Sequence, residues 1–182
     1  MSNNILVKDN FFDSIDELRE LACDTEHMSH KRTHVVVWWR GHRSWDLSHL
    51  NNHIINDCYQ KILNTALEFF NVEDYSMGMY FHISNSDNKY HQLKQWHKDP
   101  TPYAGVLYLS PDVPLNSGTT IFDNGKRIDV ENKYNRLIVY PGKCSHGITE
   151  FIDDRRTVVV FIDTKEKVQK QIDLLTEIRL NS

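Results

Sequence analysis

The sequence predicts an α+β fold in which helices pack on one side of a jelly-roll β core. In the first third of the chain, apolar residues recur at spacings of three and four, which is typical of amphipathic helices. After residue 72, short runs rich in β-branched and aromatic residues alternate with turn residues, which is typical of an antiparallel sandwich or barrel. The 182 residues suffice for one such domain and are too few for two.

Two helices and one strand are predicted before residue 72. Ser14 and Glu17 have the spacing of a capping box, in which each side chain satisfies a free amide of the first helical turn. We therefore expect a helix over residues 14–26. A longer apolar stripe predicts a second helix over residues 47–70. Between them, the β-branched and aromatic run over residues 35–43 predicts a strand that ends in a glycine turn.

Eight strands and a closing helix are predicted after residue 72. The strands are expected near residues 77–84, 92–97, 103–110, 118–122, 126–130, 135–140, 146–151 and 156–163. Eight strands in about 90 residues suggest a jelly roll, which folds two sheets over one another and can hold a site between them. We divide the domain, residues 1–182, into a helical support with one strand (1–72), a β core (77–163) and a C-terminal helix (164–182).

Composition excludes several classes of partner. The chain has 21 basic and 25 acidic residues, a net charge of −4 and no long run of like charges, so we expect neither nucleic acid nor an anionic membrane as a partner. The three cysteines are widely spaced, which argues against a disulfide framework. Because no secretory signal or long apolar run is present either, we predict a cytoplasmic protein. The oligomeric state is left open.

Three residues are candidate metal ligands. His97 and Asp99 are two apart at a predicted strand end, so both side chains can point to one face. His146 follows the Pro141-Gly142 turn and can arrive on a neighbouring strand. Two imidazoles and one carboxylate can hold Fe(II) on one face and leave the other positions open for oxygen and a cosubstrate. The alternative is that these are ordinary polar residues in a chain with ten histidines.

A series of motifs decides between these readings. In chain order they are His97-x-Asp99, the strand 104–110, Ser-Gly-Thr-Thr-Ile-Phe at 117–122, the segment 135–142 that ends in Pro-Gly, Ser145-His146 and Arg155-x-Thr157. With this series, the region from Tyr80 to Asp163, less than half of the chain, resembles the core of the Fe(II)- and 2-oxoglutarate-dependent dioxygenases. The resemblance is to the prolyl-4-hydroxylase-like branch found in bacteria and phages. It implies a double-stranded β-helix core and a catalytic iron held by the two histidines and the aspartate.

The resemblance also implies a binding site for 2-oxoglutarate. In the family, an arginine nine or ten residues after the second histidine pairs with the remote carboxylate of the cosubstrate, and its fork of donors matches a carboxylate. Arg155 and Arg156 both qualify, but only one can face inward. We choose Arg155, which shares a face with Thr157, because Arg-x-Thr resembles the family's Arg-x-Ser/Thr. Tyr108 is placed by resemblance at the same carboxylate, and the alternative is a core tyrosine with a satisfied hydroxyl.

The implied activity is hydroxylation of an unactivated C–H bond, using Fe(II) and O2 and converting 2-oxoglutarate to succinate and CO2. We expect a small-molecule or peptidyl substrate, plausibly a prolyl or other amino-acyl group. Two alternatives remain: a jelly-roll module that binds a metal or a small acid without turnover, and a cupin-type metal enzyme that does not use 2-oxoglutarate.

Several further residues are weaker candidates for the site. The acidic residues Glu150, Asp153 and Asp154, near the expected mouth of the site, would disfavour an acidic substrate. Tyr80, His82 and Trp96 are candidates for the pocket wall. The segment 38–44 is a candidate for substrate contact, and the loop 84–89 is a candidate lid. Cys144 is expected to be a packed residue without a role in the site.

Overall fold

The computed structural model describes residues 4–29, 41–84, 96–170 and 173. The helices are α1 (Ile15–Asp24) and α2 (His53–Phe70), with short 3-10 turns at Leu47–His49 and Leu115–Ser117 and helical residues at 165–170. The strands are β1 (Leu6–Lys8), β2 (Met28–Ser29), β3 (His42–Arg43), β4 (Tyr75–Ile83), β5 (Tyr103–Tyr108), β6 (Thr119–Asp123), β7 (Lys126–Val130), β8 (Leu137–Pro141), β9 (Ser145–Ile148) and β10 (Arg156–Thr164). No helix in these ranges is long and apolar enough to cross a membrane.

The strands of the described ranges form two antiparallel sheets. The large sheet has the order β1-β8-β5-β10-β4-β3-β2 and the small sheet the order β7-β6-β9. One apolar cluster joins β5 and β8 of the large sheet to β6 and β7 of the small one, so two sheet faces meet across a shared interior. We call these faces the inner faces.

The two helices cover the other face of the large sheet. Alternate residues of β4 and β10 are fully or almost fully buried in one cluster with α1 and α2: Met77, Met79, Phe81, Val158, Val160 and Ile162 from the strands, and Leu18, Ala22, Ile55, Cys58 and Ile62 from the helices. Because side chains of a strand alternate between faces, the residues between them point to the inner face. The expectation that helices pack on one side of a β core is confirmed, and the inner face is left available for a site.

The helix boundaries differ from the prediction in two places. Ser14 precedes α1, but its side chain makes no capping hydrogen bond, so the predicted capping box is wrong. Its backbone, at φ −89° and ψ 42°, lacks the extended conformation from which a capping hydroxyl reaches the first-turn amides. The second helix begins at His53 instead of residue 47, because Asn52 accepts a hydrogen bond from the Ile55 amide and caps it there.

The strands agree well with the prediction where both can be compared. The structure has β4 to β10 within a few residues of seven of the predicted positions. The predicted strand 92–97 and the strand 35–43 lie largely outside the described residues, and β3 is the end of the latter. Strands β1 and β2 were not expected, since three and two residues are too few to give a periodic pattern. Of the predicted C-terminal helix, residues 171–172 and 174–182 also lie outside the described part.

Candidate metal centre and cosubstrate pocket

His97, Asp99 and His146 come together, with their ligand atoms all within 4.8 Å of one another. Asp99 lies between the two histidines: its Oδ2 is 3.2 Å from His146 Nε2 and its Oδ1 is 3.8 Å from His97 Nε2. The side chains of Asp99 and His146 are 11% and 6% exposed, whereas that of His97 is 60% exposed. The cluster therefore opens to solvent on the His97 side.

Backbone hydrogen bonds place the two chain segments of this cluster. His97 and His146 form an isolated antiparallel bridge, with each amide donating to the other's carbonyl at 3.0 and 2.8 Å. The Asp99 amide donates to the Gly142 carbonyl at 2.9 Å. These bonds fix the register of the His-x-Asp segment against β9, and so fix which side chains meet.

Gly142 is required for this approach. A Cβ atom built on it would lie 2.1 Å from the Thr101 carbonyl oxygen, far inside van der Waals contact. Only glycine lets the Pro-Gly turn pass so close to the chain that follows Asp99. The Pro-Gly motif thus positions the carboxylate as well as the second histidine.

The ring of His146 has a defined orientation. Its Nδ1 lies 2.9 Å from the Cys144 carbonyl oxygen. A carbonyl can only accept, so Nδ1 carries a proton and Nε2, which faces Asp99, is the ring nitrogen left to bind an ion. Cys144 itself is a packed residue, as expected: its thiol is buried, and burial raises its pKa.

Arg155 points inward and Arg156 outward. Arg155 is 3% exposed; its Nε–H donates to the Ser117 carbonyl at 2.9 Å, and its guanidinium lies 5.2 Å from the centroid of the Tyr108 ring. The Arg156 side chain is 29% exposed and faces Asp154. Because the bond to Ser117 uses Nε–H, it leaves both terminal amino groups of Arg155 outside that contact. Burial lowers the pKa of Arg155, and the neighbouring Tyr108 opposes this.

Thr157 and Tyr108 border this guanidinium. The two residues lie opposite each other on β10 and β5 and are fully buried. The Thr157 hydroxyl has no hydrogen-bond partner among the described residues, which costs about 1–3 kcal/mol for a buried polar group unless a ligand satisfies it. The Tyr108 hydroxyl is 2.7 Å from Thr119 Oγ1. Burial raises the Tyr108 pKa, so this phenol stays neutral.

Other predicted pocket residues are placed as follows. Tyr80 and His82 are buried on the inner face, opposite Val159 and Thr157 of β10. Trp96 is exposed and packs edge-on against Phe122, with ring centroids 5.1 Å apart. Residues 38–40 and 85–89 of the predicted segments lie outside the described part of the chain.

Sequence reasoning missed Tyr140, which lies next to the cluster, and Arg43, which lies on the same inner face. The Tyr140 ring is buried 4.7 Å from that of His146, and burial together with the Asp99 carboxylate raises its pKa well above 10. Its place two residues before Gly142 in a strand could have indicated it. Arg43 reaches the same face from β3, although only its segment was singled out.

Comparisons with known proteins yield structural similarity alone. No family model matches the chain, and no curated protein matches it in sequence. A prolyl hydroxylase from Trichoplax adhaerens, solved with a peptide of hypoxia inducible factor, has 12% identity and a TM-score of 0.67 over 95% of this chain and 87% of its own. A Pseudomonas putida prolyl-4-hydroxylase has 15% identity and a TM-score of 0.60 over 90% and 94% of the two chains.

A third solved structure extends the similarity beyond prolyl hydroxylases. HygX from Streptomyces hygroscopicus, solved with nickel, 2-oxoglutarate and hygromycin B, has 12% identity and a TM-score of 0.66 over 89% of this chain and 83% of its own. At these identities the likeness concerns the fold. The chain therefore has the fold shared by prolyl-4-hydroxylases and other 2-oxoglutarate-dependent oxygenases.

Proposed function

We propose that this protein is an Fe(II)- and 2-oxoglutarate-dependent dioxygenase that hydroxylates an unactivated C–H bond of a small-molecule or peptidyl substrate, such as a prolyl or other amino-acyl group. One observation carries the proposal. The His97-Asp99-His146 cluster occurs together with a buried arginine, Arg155, and an unsatisfied threonine hydroxyl, that of Thr157, between the inner faces of the two sheets. We assign the two-sheet core to the double-stranded β-helix of that family.

The three clustered residues fit an iron ion. An ion bonded at about 2.1 Å to two ligand atoms requires them to lie within about 4.2 Å of each other. The distances from Asp99 Oδ2 to His146 and from Asp99 Oδ1 to His97, 3.2 and 3.8 Å, lie within this limit, and one ligand atom of each residue lies within 4.8 Å of the other two. Two imidazoles and one carboxylate are the facial set typical of non-haem Fe(II) oxygenases, which leaves open positions for the cosubstrate and O2.

The second group of residues fits 2-oxoglutarate. Arg155 offers a cation whose terminal amino groups can meet a carboxylate in parallel, and among the described residues it forms no ion pair. The Thr157 hydroxyl can complete its hydrogen bonding on the same carboxylate. Tyr108 supports the guanidinium with its ring and lies within reach of the same group.

In this proposal one group of residues holds the iron ion and another orients the cosubstrate. Bound Fe(II) and 2-oxoglutarate supply the oxidation, in which O2 gives one oxygen atom to succinate and one to the hydroxylated product while CO2 leaves. His97, Asp99 and His146 hold the ion, and the Cys144 carbonyl keeps His146 in the tautomer that can bind it. Arg155, Thr157 and Tyr108 orient the cosubstrate, and the apolar inner faces exclude water.

The comparisons support this class of activity without deciding the substrate. One similar protein was solved with a peptide and another with hygromycin B, so the fold accommodates macromolecular and small-molecule partners alike. For location we propose the cytoplasm, which the three unpaired cysteines support.

Succinate production tests the proposal. Purified protein with Fe(II), ascorbate and 2-oxoglutarate should release succinate slowly by itself and faster with a substrate. His146→Ala should reduce both rates to background, because two ligands cannot hold the ion in place. His53→Ala, at the start of α2 and away from the cluster, is the matched control and should keep the wild-type rate.

Two other outcomes would replace this proposal. Tight iron binding without any succinate, with peptide and amino-acid pools present, would indicate a binding module. Oxidation of a substrate that needs iron but continues without 2-oxoglutarate would indicate a cupin-type enzyme.

A further inference from the structure

Ser117 and Thr119 hold two of the proposed cosubstrate residues from one short segment of the chain. The Ser117 carbonyl accepts the hydrogen bond from Arg155 Nε at 2.9 Å, and the Thr119 hydroxyl lies 2.7 Å from the Tyr108 hydroxyl. Both residues of the segment are buried. A shift of residues 117–119 would move the guanidinium and the phenol together, so whatever fixes this segment also fixes the pocket for the remote carboxylate.

Asn132, which follows the end of β7, fixes this segment through two hydrogen bonds. Its backbone amide donates to the Leu115 carbonyl at 2.8 Å, and its side-chain Nδ2 donates to the Ser117 hydroxyl oxygen at 3.0 Å. The Ser117 hydroxyl donates its own proton to the Pro114 carbonyl at 2.6 Å, which leaves its oxygen to accept from Asn132. Asn132 therefore holds both ends of the 3-10 turn Leu115–Ser117.

Gly118 lets the segment lie directly against the chain that follows β7. A Cβ atom built on it would lie 1.8 Å from the Val130 carbonyl oxygen and 2.7 Å from the Asn132 amide nitrogen, both far inside van der Waals contact. Only glycine allows two backbones to pass so closely. The Gly118 carbonyl also accepts a hydrogen bond from the Thr149 amide at 3.1 Å. The segment is thus held between the ends of β7 and β9.

The Asn132 side chain has a cost for folding. It is 2% exposed, and its Oδ1 has no hydrogen-bond partner among the described residues. A buried acceptor that stays unsatisfied costs about 1–3 kcal/mol. An apolar residue of similar size would fill the same space without this cost. The feature that an apolar residue could not supply is the hydrogen bond from Nδ2 to Ser117.

The hydrogen bond from Arg155 to Ser117 determines how the guanidinium faces the pocket. A guanidinium is planar and rigid, so a carbonyl bonded to Nε–H fixes the direction in which both terminal amino groups point. Two parallel hydrogen bonds to a carboxylate require that direction to be correct. Any residue at position 117 would supply the carbonyl, whereas the serine hydroxyl lets Asn132 hold it in place.

We propose that Asn132 is a positioning residue that, through the Ser117 hydroxyl, orients Arg155 toward the remote carboxylate of 2-oxoglutarate. Because Thr119 belongs to the same segment, the hydroxyl of Tyr108 is positioned with it. This inference rests on the proposed function and adds a residue to its cosubstrate pocket. Since Asn132 acts through Ser117, its loss should affect the remote carboxylate and spare the end of the cosubstrate that binds the metal.

Two ligands separate this role from a general structural one. 2-Oxopentanoate has a methyl group in place of the remote carboxylate of 2-oxoglutarate and keeps the 2-oxo acid that can chelate a metal ion. Calorimetry with the Ni(II) protein measures 2-oxoglutarate directly and 2-oxopentanoate by competition with it. Asn132→Ala should weaken 2-oxoglutarate binding about 5- to 10-fold, because the charged hydrogen bonds to the remote carboxylate lose their alignment. Binding of 2-oxopentanoate should change by less than about twofold.

Further variants assign the effect to the hydrogen bond itself. Ser117→Ala removes the same bond from its other end, so it should weaken 2-oxoglutarate binding by a similar factor, and it guards against a folding defect in Asn132→Ala. The double variant should lose about as much as either single one, because the two side chains act as one unit. Asn116→Ala, an exposed residue of the same turn that donates to Glu150, is the matched control and should bind as wild type.

Three results would overturn the inference: unchanged 2-oxoglutarate binding in Asn132→Ala, an equal loss for both ligands, or a loss in the double variant that equals the product of the single losses. The wild-type titration distinguishes such a failure from failure of the proposed function. If the wild-type Ni(II) protein binds 2-oxoglutarate and Asn132→Ala binds it equally well, the role of Asn132 is wrong and the cosubstrate assignment stands. If the wild-type protein does not bind 2-oxoglutarate, the proposed function is wrong and the role of Asn132 fails with it.

Discussion

Two arginines of this protein have opposite surroundings. Arg136, just before β8, donates to both carboxylate oxygens of Asp9, at 2.5 and 3.1 Å, and this pairing raises its pKa. Arg155, just before β10, is buried beside Tyr108 and, among the described residues, forms no ion pair; burial lowers its pKa. Within the described part of the chain, Arg136 has a paired anion and Arg155 has none.

The difference separates a structural from a functional charge. The Asp9–Arg136 pair connects the end of β1 to the start of β8, where the two strands also pair, so its role is to hold the N-terminal strand to the sheet edge. A buried cation without a counter-charge is costly, and folding alone gives no reason to keep one. The dicarboxylate that we propose as cosubstrate supplies the missing anion for Arg155.

Replacing each arginine with neutral glutamine should give the largest difference between the two positions, in 2-oxoglutarate affinity and in stability. Arg155→Gln should weaken 2-oxoglutarate binding about 100-fold, since two charge-assisted hydrogen bonds are lost, and should leave the free energy of unfolding of the ligand-free protein unchanged or raise it, since a buried cation is removed. Arg136→Gln should lower the free energy of unfolding by about 1 kcal/mol and leave 2-oxoglutarate affinity within about twofold. Calorimetry and urea denaturation measure the two quantities. Similar losses of affinity in both variants would remove the distinction.

Gly142→Ala should damage the metal cluster through the backbone. The new Cβ would meet the Thr101 carbonyl at 2.1 Å and displace the hydrogen bond that holds Asp99. We expect metal affinity to fall about tenfold and stability to fall by roughly 1–3 kcal/mol. Gly125→Ala is the control: it has open space around its Cβ but a φ of +77°, so it should cost stability without changing metal affinity. Unchanged metal affinity in Gly142→Ala would contradict the role given to this turn.

Thr157→Val, beside Arg155, should reduce 2-oxoglutarate affinity less than Arg155→Gln does. Loss of the hydroxyl should weaken 2-oxoglutarate binding about 5- to 10-fold, because one hydrogen bond to a charged group is lost. Stability should stay the same or rise, since an unsatisfied buried hydroxyl is removed from the free protein. Thr157→Ser should restore the affinity. A stability loss with unchanged affinity would indicate a purely structural threonine.

Asp9→Asn, which removes the charge paired with Arg136, should give the smallest effect, a small loss in the free energy of unfolding. Hydrogen bonds from Arg136 and Lys133 hold the pKa of Asp9 well below its usual range. A lowered carboxyl pKa stabilises the fold above the unfolded value of about 4, and this stabilisation declines as the pH falls below it. Wild type should therefore exceed Asp9→Asn by about 0.5–1 kcal/mol at pH 7, and by less at each step below pH 4. Urea denaturation across this range checks the trend, and a difference independent of pH would refute it.

The sequence could predict those features that have a local pattern. The stripes of α1 and α2 and the alternation of β4 to β10 follow from spacing. Strand alternation predicts that only one of Arg155 and Arg156 faces inward, and the resemblance of Arg155-x-Thr157 to the family's motif selected Arg155. Strands β1 and β2 escaped prediction because their pairing depends on partners far along the chain.

Contacts between distant segments could not be predicted in the same way. The Ser117 carbonyl that holds Arg155 is a backbone group, and any residue type would supply it. The approach of Tyr140 to His146, and of Arg43 to the inner face, depends on the stacking of sheets and on strand order, which no single segment encodes. The candidate ligands were recognisable because their chemistry restricts the residue types.

The backbone bridge between His97 and His146 has a consequence for how the protein acquires its ion. The two residues are separated by 49 positions in the chain, and their amides and carbonyls pair directly, through backbone atoms that bind no ion. These backbone hydrogen bonds hold the loop closed independently of the ligand atoms on the side chains. Chelation should return a folded apoprotein that accepts a fresh ion without refolding, unlike small domains whose chain orders around its metal.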